Sequence, residues 1–435
     1  MKSKNVLKSK KLLMLGTSYA SCEIVAYAKS LGVYTIVTDF QPPEISTAKL
    51  LSDEFWMINT GDIDTLECKC REEHVTAVMC GISEFNLEVC MELCRRLDLP
   101  CYCTPEAWHY SRNKSDFKKL CRKVGAPVPE DYCITDDLSK DELSKIKYPV
   151  VVKPVDMSGN RGISYCFSQS ELINAYKLAR NLSKNPNIIV ERMLKGKEWY
   201  SYYAIANGQM RQICLNAMEA EPNQLKNLYS LTTNITDKVE RFNTEINPKI
   251  EDVLKKVGCK EGIAWVQVML DEDDQFYIIE MGYRLPGDLP DKTYPLLCNF
   301  DAIKWLTDYS LGHIHTENEL PVAQLHSYKK CVCGYSLWTH KGGILTRFIG
   351  IDAINSIAGV KFYTIHHIGE NFVAHRPLAV ITVIADDCED FCEKLKKINK
   401  LISIEDENGE DVVIRYTDFD YLKKIYANAI HGSQM

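Results

Sequence analysis

The string Val150-Val-Val-Lys153-Pro-Val-Asp-Met-Ser158-Gly159-Asn-Arg161-Gly162-Ile163 constrains this chain more than any other stretch. A β-branched run favours a strand. Pro154 cannot donate to a ladder, so the strand should stop there and leave Lys153 at its mouth. Gly159 and Gly162 let the following loop turn its backbone N–H groups toward one point, while Lys153 and Arg161 add positive charge. Oriented amides plus cations make a phosphate cradle. The common P-loop is excluded, because no G-x-x-x-x-G-K-[ST] string occurs in the chain. Alone, the same residues also describe an ordinary strand and a glycine turn with a solvated Lys and Arg. Only the remaining segments separate these readings.

A chain of 435 residues exceeds what one hydrophobic core serves, which predicts two to four domains. Hydrophobic residues make up 46% and charged residues 26%, a soluble globular balance. The net charge of −7 argues against a nucleic-acid binder, whose footprint is a basic stripe. The apolar run Leu12–Leu15 after the basic N-terminus is far too short for a signal peptide, and no stretch approaches the roughly 18 apolar residues of a membrane span. A cytoplasmic protein with no membrane partner is expected. The 18 cysteines then read as reduced thiols. The pairs Cys68/Cys70, Cys101/Cys103 and Cys331/Cys333 lack zinc-site spacing and read as small buried hydrophobes.

Residues 11–104 alternate strand and helix: a strand at Lys11–Leu15, a helix from Ala20 to Leu31, and a strand at Tyr34–Thr38. A helix from Asp62 to Glu73, a strand at Val75–Met79, a helix from Glu84 to Leu97 and a closing segment at Cys101–Cys103 follow. This predicts a parallel sheet with helices on both faces. The loop Gly16–Ser21 has one glycine where a dinucleotide fingerprint needs three, so no such cofactor is expected there. Helices are predicted for Lys114–Val124, Ser170–Ser183, Pro248–Val257 and Cys388–Asn399. A hairpin of Ile263–Leu270 and Gln275–Met281 flanks the turn Asp271–Asp274, read as solvated. Lys361–Ile368, Leu378–Ile384 and Val412–Tyr416 read as strands of a last α+β region. His366, His367 and His375 within it read as packing or surface residues.

Four further segments accompany the opening string. Lys114 starts a helix upstream. Ile188-Ile-Val-Glu191-Arg-Met-Leu194-Lys-Gly196-Lys-Glu198 follows downstream. Gln267 and Glu280 face each other across the hairpin, and Glu280-Met-Gly282-Tyr-Arg284-Leu-Pro-Gly287 leaves its second strand. This ordered set resembles the ATP-grasp superfamily, and within it the branch of carbamoyl-phosphate synthetase, biotin carboxylase and L-amino acid ligases. The resemblance implies a multidomain α/β and α+β chain. Residues 1–112 would form a Rossmann-like pre-ATP-grasp domain, 113–200 and 201–325 the small and large halves of the ATP-grasp fold, and 326–435 a biotin-carboxylase-like α+β domain.

The same resemblance implies ATP and Mg²⁺, or Mn²⁺ in its place, as cofactors. Lys114 and Lys153 match the lysines that reach the phosphates, and Ser158, Gly159, Arg161 and Gly162 match the lid over them. Glu191 and an N–H near Leu194 match the adenine contacts, and Glu198 the ribose contact; as isolated residues both glutamates read as surface charge. Glu280 matches the main metal ligand and Gln267 a second one, where many relatives carry Glu. Gly282 departs from the pattern, since Asn usually ligates there. Asp288 is a candidate substitute. Arg284 matches the arginine that holds the carboxylate or its acyl phosphate, with a structural ion pair as the alternative.

Lys153 and Arg284 would therefore serve catalysis in an ADP-forming ligation of a small carboxylate with an amine, by a chain able to form a homodimer. Two other readings stay open: phosphoryl transfer to a small molecule, and a nucleotide-binding regulator without turnover. The segment Asn216–Thr236 lies where relatives shape the acceptor pocket, and it does not name a ligand.

Overall fold

A computed structural model describes residues 7–155, 162–185, 187–221, 228–287, 299–322 and 330–432. Near the N-terminus, β1 (Lys11–Leu15), β2 (Tyr34–Thr38), β3 (Glu54–Trp56) and β4 (Ala77–Cys80) pair in parallel, in the order β3-β2-β1-β4. Leu12 to Leu15 are all buried, as a parallel sheet covered on both faces requires. Helices α1 (Tyr19–Ser30), α2 (Ile63–Glu72) and α3 (Glu84–Leu97) each begin on a side-chain cap, from Ser18, Asp62 and Ser83 respectively. The α/β alternation read from the sequence is present.

Its expected closing segment, Cys101–Cys103, forms no strand. Tyr102 instead meets Tyr283 edge-on, with ring centroids 5.4 Å apart, and the Tyr283 hydroxyl donates to Tyr102 O. Nearby, the thiols of Cys90, Cys94 and Cys101 lie within 4.8 Å of one another.

Helix α4 (Lys114–Lys123), capped by Asn113, leads to a small antiparallel sheet. Its strands β5 (Asp131–Tyr132), β6 (Val150–Pro154), β7 (Ser164–Cys166) and β8 (Ile188–Arg192) run in the order β5-β8-β6-β7. Strand β6 stops at Pro154, as the missing N–H dictates. Helix α5 (Gln169–Leu182) buries Leu172, Ala175, Tyr176 and Ala179 beneath this sheet.

The largest sheet is antiparallel throughout. It contains β9 (Gly196–Ala206), β10 (Gln209–Ala220), β11 (Tyr229–Thr233), β12 (Gly262–Asp271), β13 (Phe276–Gly282), β14 (Cys331–Thr339), β15 (Val360–Thr364), β16 (Pro377–Ala385) and β17 (Val413–Ile414). The order is β13-β12-β9-β10-β11-β14-β16-β15, with β17 beside β14. One sheet thus crosses the boundary expected at residue 326 through the pairing Leu231↔Tyr335. Helices α6 (Asn247–Val257), α7 (Ala302–Ser310), α8 (Cys388–Leu401) and α9 (Phe419–Gly432) complete this part.

Among the described residues, one buried cluster joins Leu13 and Leu93 of the N-terminal unit to Ile205 and Val266 of the large sheet and Leu254 of the helix 247–257. A second fills the C-terminal strands, and a third lies within the small sheet. The turn after β12 is not wholly solvated. Asp271 is buried, accepting from Lys195 N at 2.6 Å and from Arg192 Nη1 at 2.9 Å, so it pins the hinge between β8 and β9.

Glu219 of β10 faces α9, where the Tyr421 hydroxyl donates to it at 3.4 Å. Burial pushes its carboxyl up to about 7, against the pull of Lys197. An unfolded glutamate titrates near about 4.3. The native state therefore favours the proton, and stability falls as pH rises from the unfolded value to about 7, then stays lowered. Glu219→Gln should raise Tm at about pH 8 and change it little at about pH 4.5. An equal shift at both pH values, measured by thermal denaturation, would contradict the assignment.

Candidate active site

Between the small sheet and the nine-stranded sheet lies a cavity of about 420 Å³. Its walls include Lys114, Lys153, Glu191, Leu194, Glu198, Gln267, Glu280 and Arg284, residues the sequence singled out from five segments. Ser158, Gly159, Arg161 and Asp288 lie outside the described residues. Gly162 is described: its φ of +75° is the left-handed region, and a Cβ there would stand 2.8 Å from Pro154 Cγ. The glycine lets the chain fold back over the end of β6.

Lys153 is buried and pairs with Glu191 Oε1 at 2.5 Å. The other carboxylate oxygen of Glu191 takes Lys118. Glu191 is therefore no surface charge: it joins α4, β6 and β8, and both side-chain oxygens are engaged. Burial lowers the Lys153 ammonium to about 8, with Lys114 adding to the effect. Burial likewise pulls Lys118 well below its usual value, and Lys153 adds to that. Lys118 escaped the sequence reading. Its signal was the i,i+4 spacing from Lys114, which puts both side chains on one face of α4.

On the opposite wall Gln267 and Glu280 are register partners across β12 and β13. Gln267 Nε2 donates to Glu198, which turns the amide oxygen the other way, and the Tyr229 hydroxyl donates to the second oxygen of Glu198. Glu198 is buried, not a surface charge; burial raises its carboxyl well above the usual range, and Glu280 adds to this against Lys153. Desolvation would raise Glu280 too, but Lys114, 2.9 Å away, together with Lys153 and Arg284 holds it low. Two neighbouring carboxylates and an amide oxygen form a donor set suited to a hard divalent cation.

Arg284 does make an ion pair: Nη2 donates to Glu84 Oε1 at 3.0 Å and Nη1 to Leu285 O at 2.8 Å. Glu84 opens α3, so the N-terminal sheet fixes the guanidinium that lines the cavity. The absence of a side chain at Gly282 also has a local cause. A Cβ there would lie 2.1 Å from Cε2 of Trp265, its register partner on β12. The indole occupies the space an asparagine would need.

At the far end of the cavity, Arg192, Met193 and Lys195 donate their N–H groups to Glu130 O, Pro149 O and Asp271 Oδ1. No bond from the Leu194 N–H is present among the described residues. The hinge thus presents one backbone donor beside a buried leucine. Met218, Tyr229 and Thr232, from the segment read as an acceptor wall, also line the cavity.

The cluster around Glu191 makes a direct test of this geometry. Glu191→Gln leaves two buried ammonium groups without their shared carboxylate and should destabilise the protein by about 3 to 5 kcal/mol. Lys118→Met keeps the Lys153–Glu191 pair and should be far milder. Urea midpoints showing the two variants alike would contradict the assigned hub.

The sequence family described as "Carbamoyl-phosphate synthase L chain, ATP binding domain" matches residues 113–290. The C-terminal section of the carbamoyl phosphate synthase large chain of Methanocaldococcus jannaschii is 23% identical over 196 residues, covering 44% of this chain and 32% of that protein. The chain spans about a third or less of the length of the first curated relatives it matches. The crystal structure of L-amino acid ligase from Bacillus licheniformis superimposes with a TM-score of 0.73 at 16% identity, covering 92% of this chain and 99% of that one. The biotin carboxylase domain of 2-oxoglutarate carboxylase from Hydrogenobacter thermophilus, a dimer in complex with MgADP, ADP and bicarbonate, gives a TM-score of 0.71 at 16% identity and covers 97% and 95% of the two chains. The segment carrying Lys114, Lys153, Glu280 and Arg284 is thus similar in sequence to that ATP-binding domain, and the chain shares its fold over nearly its whole length with these two structures.

Proposed function

We propose that the protein is an ADP-forming carboxylate–amine ligase working through an acyl phosphate. The observation that carries this reading is the convergence on one cavity of two lysines, a facing Glu280–Gln267 pair and a braced Arg284. In this reading the Leu194 N–H meets the adenine at the hinge. Lys114 and Lys153 reach the phosphates. Lys114 must then exchange Glu280 for phosphate oxygens.

Glu280, with the amide oxygen of Gln267 and with Glu198 beside them, would hold Mg²⁺, or Mn²⁺ in its place. The ion when bound neutralises charge on the γ-phosphate. Tyr229 and Gln267 engage both oxygens of Glu198, so a cation or a ribose hydroxyl must displace one of them.

Arg284 holds the carboxylate in line with the γ-phosphorus. A carboxylate oxygen attacks, the bond to the ADP oxygen breaks, and ADP leaves. The neutral amine nitrogen then attacks the acyl carbon, inorganic phosphate departs with the C–O bond pair, and the proton the nitrogen loses passes to the released phosphate. No protein nucleophile takes part; positioning and charge neutralisation lower the barrier. A homodimer belongs to the same proposal, on the example of the Hydrogenobacter thermophilus domain.

ADP and phosphate release from ATP–Mg²⁺ should require a carboxylate and an amine together. Glu280→Gln should reduce that turnover at least a hundredfold while circular dichroism shows the fold retained. A stable phosphorylated product without amine dependence would establish phosphotransfer instead. ATP binding with no ADP formation across a broad panel would favour a regulator.

A further inference from the structure

Away from the cavity, the loop that follows α7 gathers three side chains of another kind. His313, His315 and Glu319 each offer one donor atom, and those atoms lie within 4.8 Å of one another. None of the three lines the cavity between the sheets. The two imidazoles meet edge-on with centroids 4.7 Å apart, while Ile314 between them is exposed. The loop is tied to α7 at two points. His313 N donates to Asp308 O at 2.9 Å, and the His315 ring stacks on Trp305 with centroids 3.5 Å apart.

His315 is buried, and its bonding is one-sided. Its Nε2 lies 2.8 Å from Trp305 O, which can only accept, so this nitrogen carries a hydrogen and donates it. Burial lowers the imidazole below its usual value, so the ring is neutral and Nδ1 keeps a lone pair. Nδ1 has no hydrogen-bond partner among the described residues. It faces Glu319 Oε1, 3.9 Å away. The carboxylate is held in place from its other side, where Oε2 accepts from Thr316 N at 2.7 Å and from Thr316 Oγ1 at 3.0 Å. Those bonds, with one from His313, pull the Glu319 carboxyl down to about 2. Oε1 is left to His313 Nε2, at 2.7 Å. Asp308, which accepts from the Tyr27 hydroxyl at 2.9 Å, adds negative charge beside both histidines.

An imidazole lone pair opposite a carboxylate oxygen is two acceptors with no donor between them, and a cation resolves the mismatch. We propose that His313, His315 and Glu319 bind a divalent transition metal, Zn²⁺ in the first place, with His315 Nδ1 and Glu319 Oε1 as the fixed ligands. Zinc bonds to nitrogen and oxygen of about 2.0 to 2.2 Å each together span the gap between these two atoms. The hydrogen bond from the second ring nitrogen to a backbone carbonyl fixes the tautomer and the ring, as metal-ligating histidines require. Two imidazoles select against Mg²⁺, which prefers oxygen ligands. His313 gives up its bond to Glu319 as the ion enters. Three protein donors leave a fourth tetrahedral position to water, on the side where His313 and Glu319 are 53% and 39% exposed. The bound ion clamps the loop onto α7. The site goes beyond the ligase reading and does not depend on it.

The test is calorimetric titration of zinc chloride into the full chain, with excess Mg²⁺ present for the carboxylate site of the cavity. His313→Ala removes an exposed ligand and leaves the buried packing intact. Wild type should take up one more Zn²⁺ than this variant at the same concentrations. Losing a ligand should weaken that ion by more than the tenfold to hundredfold typical of a lost outer-shell partner. Zn²⁺ should also raise the Tm of wild type more than that of the variant. Glu319→Gln keeps a side chain that can cap Thr316, so it serves should the first variant misfold, and it should weaken the same ion. Co²⁺ reads the donor type and separates the site from the thiols of Cys90, Cys94 and Cys101. The difference spectrum between wild type and His313→Ala should show d–d bands and no thiolate charge-transfer band. No Zn²⁺ uptake, equal uptake and Kd in wild type and both variants, or a thiolate band in that difference would overturn the proposal.

Discussion

Glu191 holds two ammonium groups that come from different parts of the chain, Lys118 from α4 and Lys153 from β6. All three side chains are almost fully buried. A single removed partner would leave an unbalanced charge in a low-dielectric interior, so the three elements are held in one arrangement. That arrangement sets Lys153 on the cavity wall and, one helical turn back along α4, sets Lys114 against Glu280. The positive side of the cavity is thereby built before any polyanion arrives.

The opposing wall depends on a register rather than on a charge. Pairing Gln267 with Glu280 fixes their two side chains on one face of the hairpin, and the same register pairs Trp265 with Gly282. Glycine at that position and an indole opposite it are one packing solution: the ring fills the space a side chain would have used. The nine-stranded sheet also carries Trp338 on the cavity wall, so Gln267, Glu280 and Trp338 stand on one sheet. The small sheet has its own core and contributes the cations and the hinge from the other side.

Much of this was legible in the residues. Strands β1 and β2 and helix α3 carry apolar runs with clear caps, and the sequence gives their limits. Lys114 at a helix start and Lys153 at a strand end are local signals, while Gln267, Glu280 and Arg284 became readable through their order along the chain. What stayed hidden is non-local. The pairing of β11 with β14 joins residues about a hundred apart and merges two expected domains into one sheet. Cys101–Cys103 has strand-like composition, yet it forms no strand, and Tyr102 docks on Tyr283. Glu191 and Glu198 look like surface charge in one dimension because their burial depends on partners from other segments. Trp265 reads as an ordinary core aromatic until Gly282 is seen beneath it.

The central claim is that a carboxylate oxygen attacks the γ-phosphate and that this same oxygen leaves with inorganic phosphate. It is tested most directly by turnover with ATP–Mg²⁺, an amine and a carboxylate labelled with oxygen-18, reading the mass of the released phosphate. An acyl-phosphate route predicts one labelled oxygen in each phosphate. Amine-dependent turnover that releases only unlabelled phosphate would contradict the account.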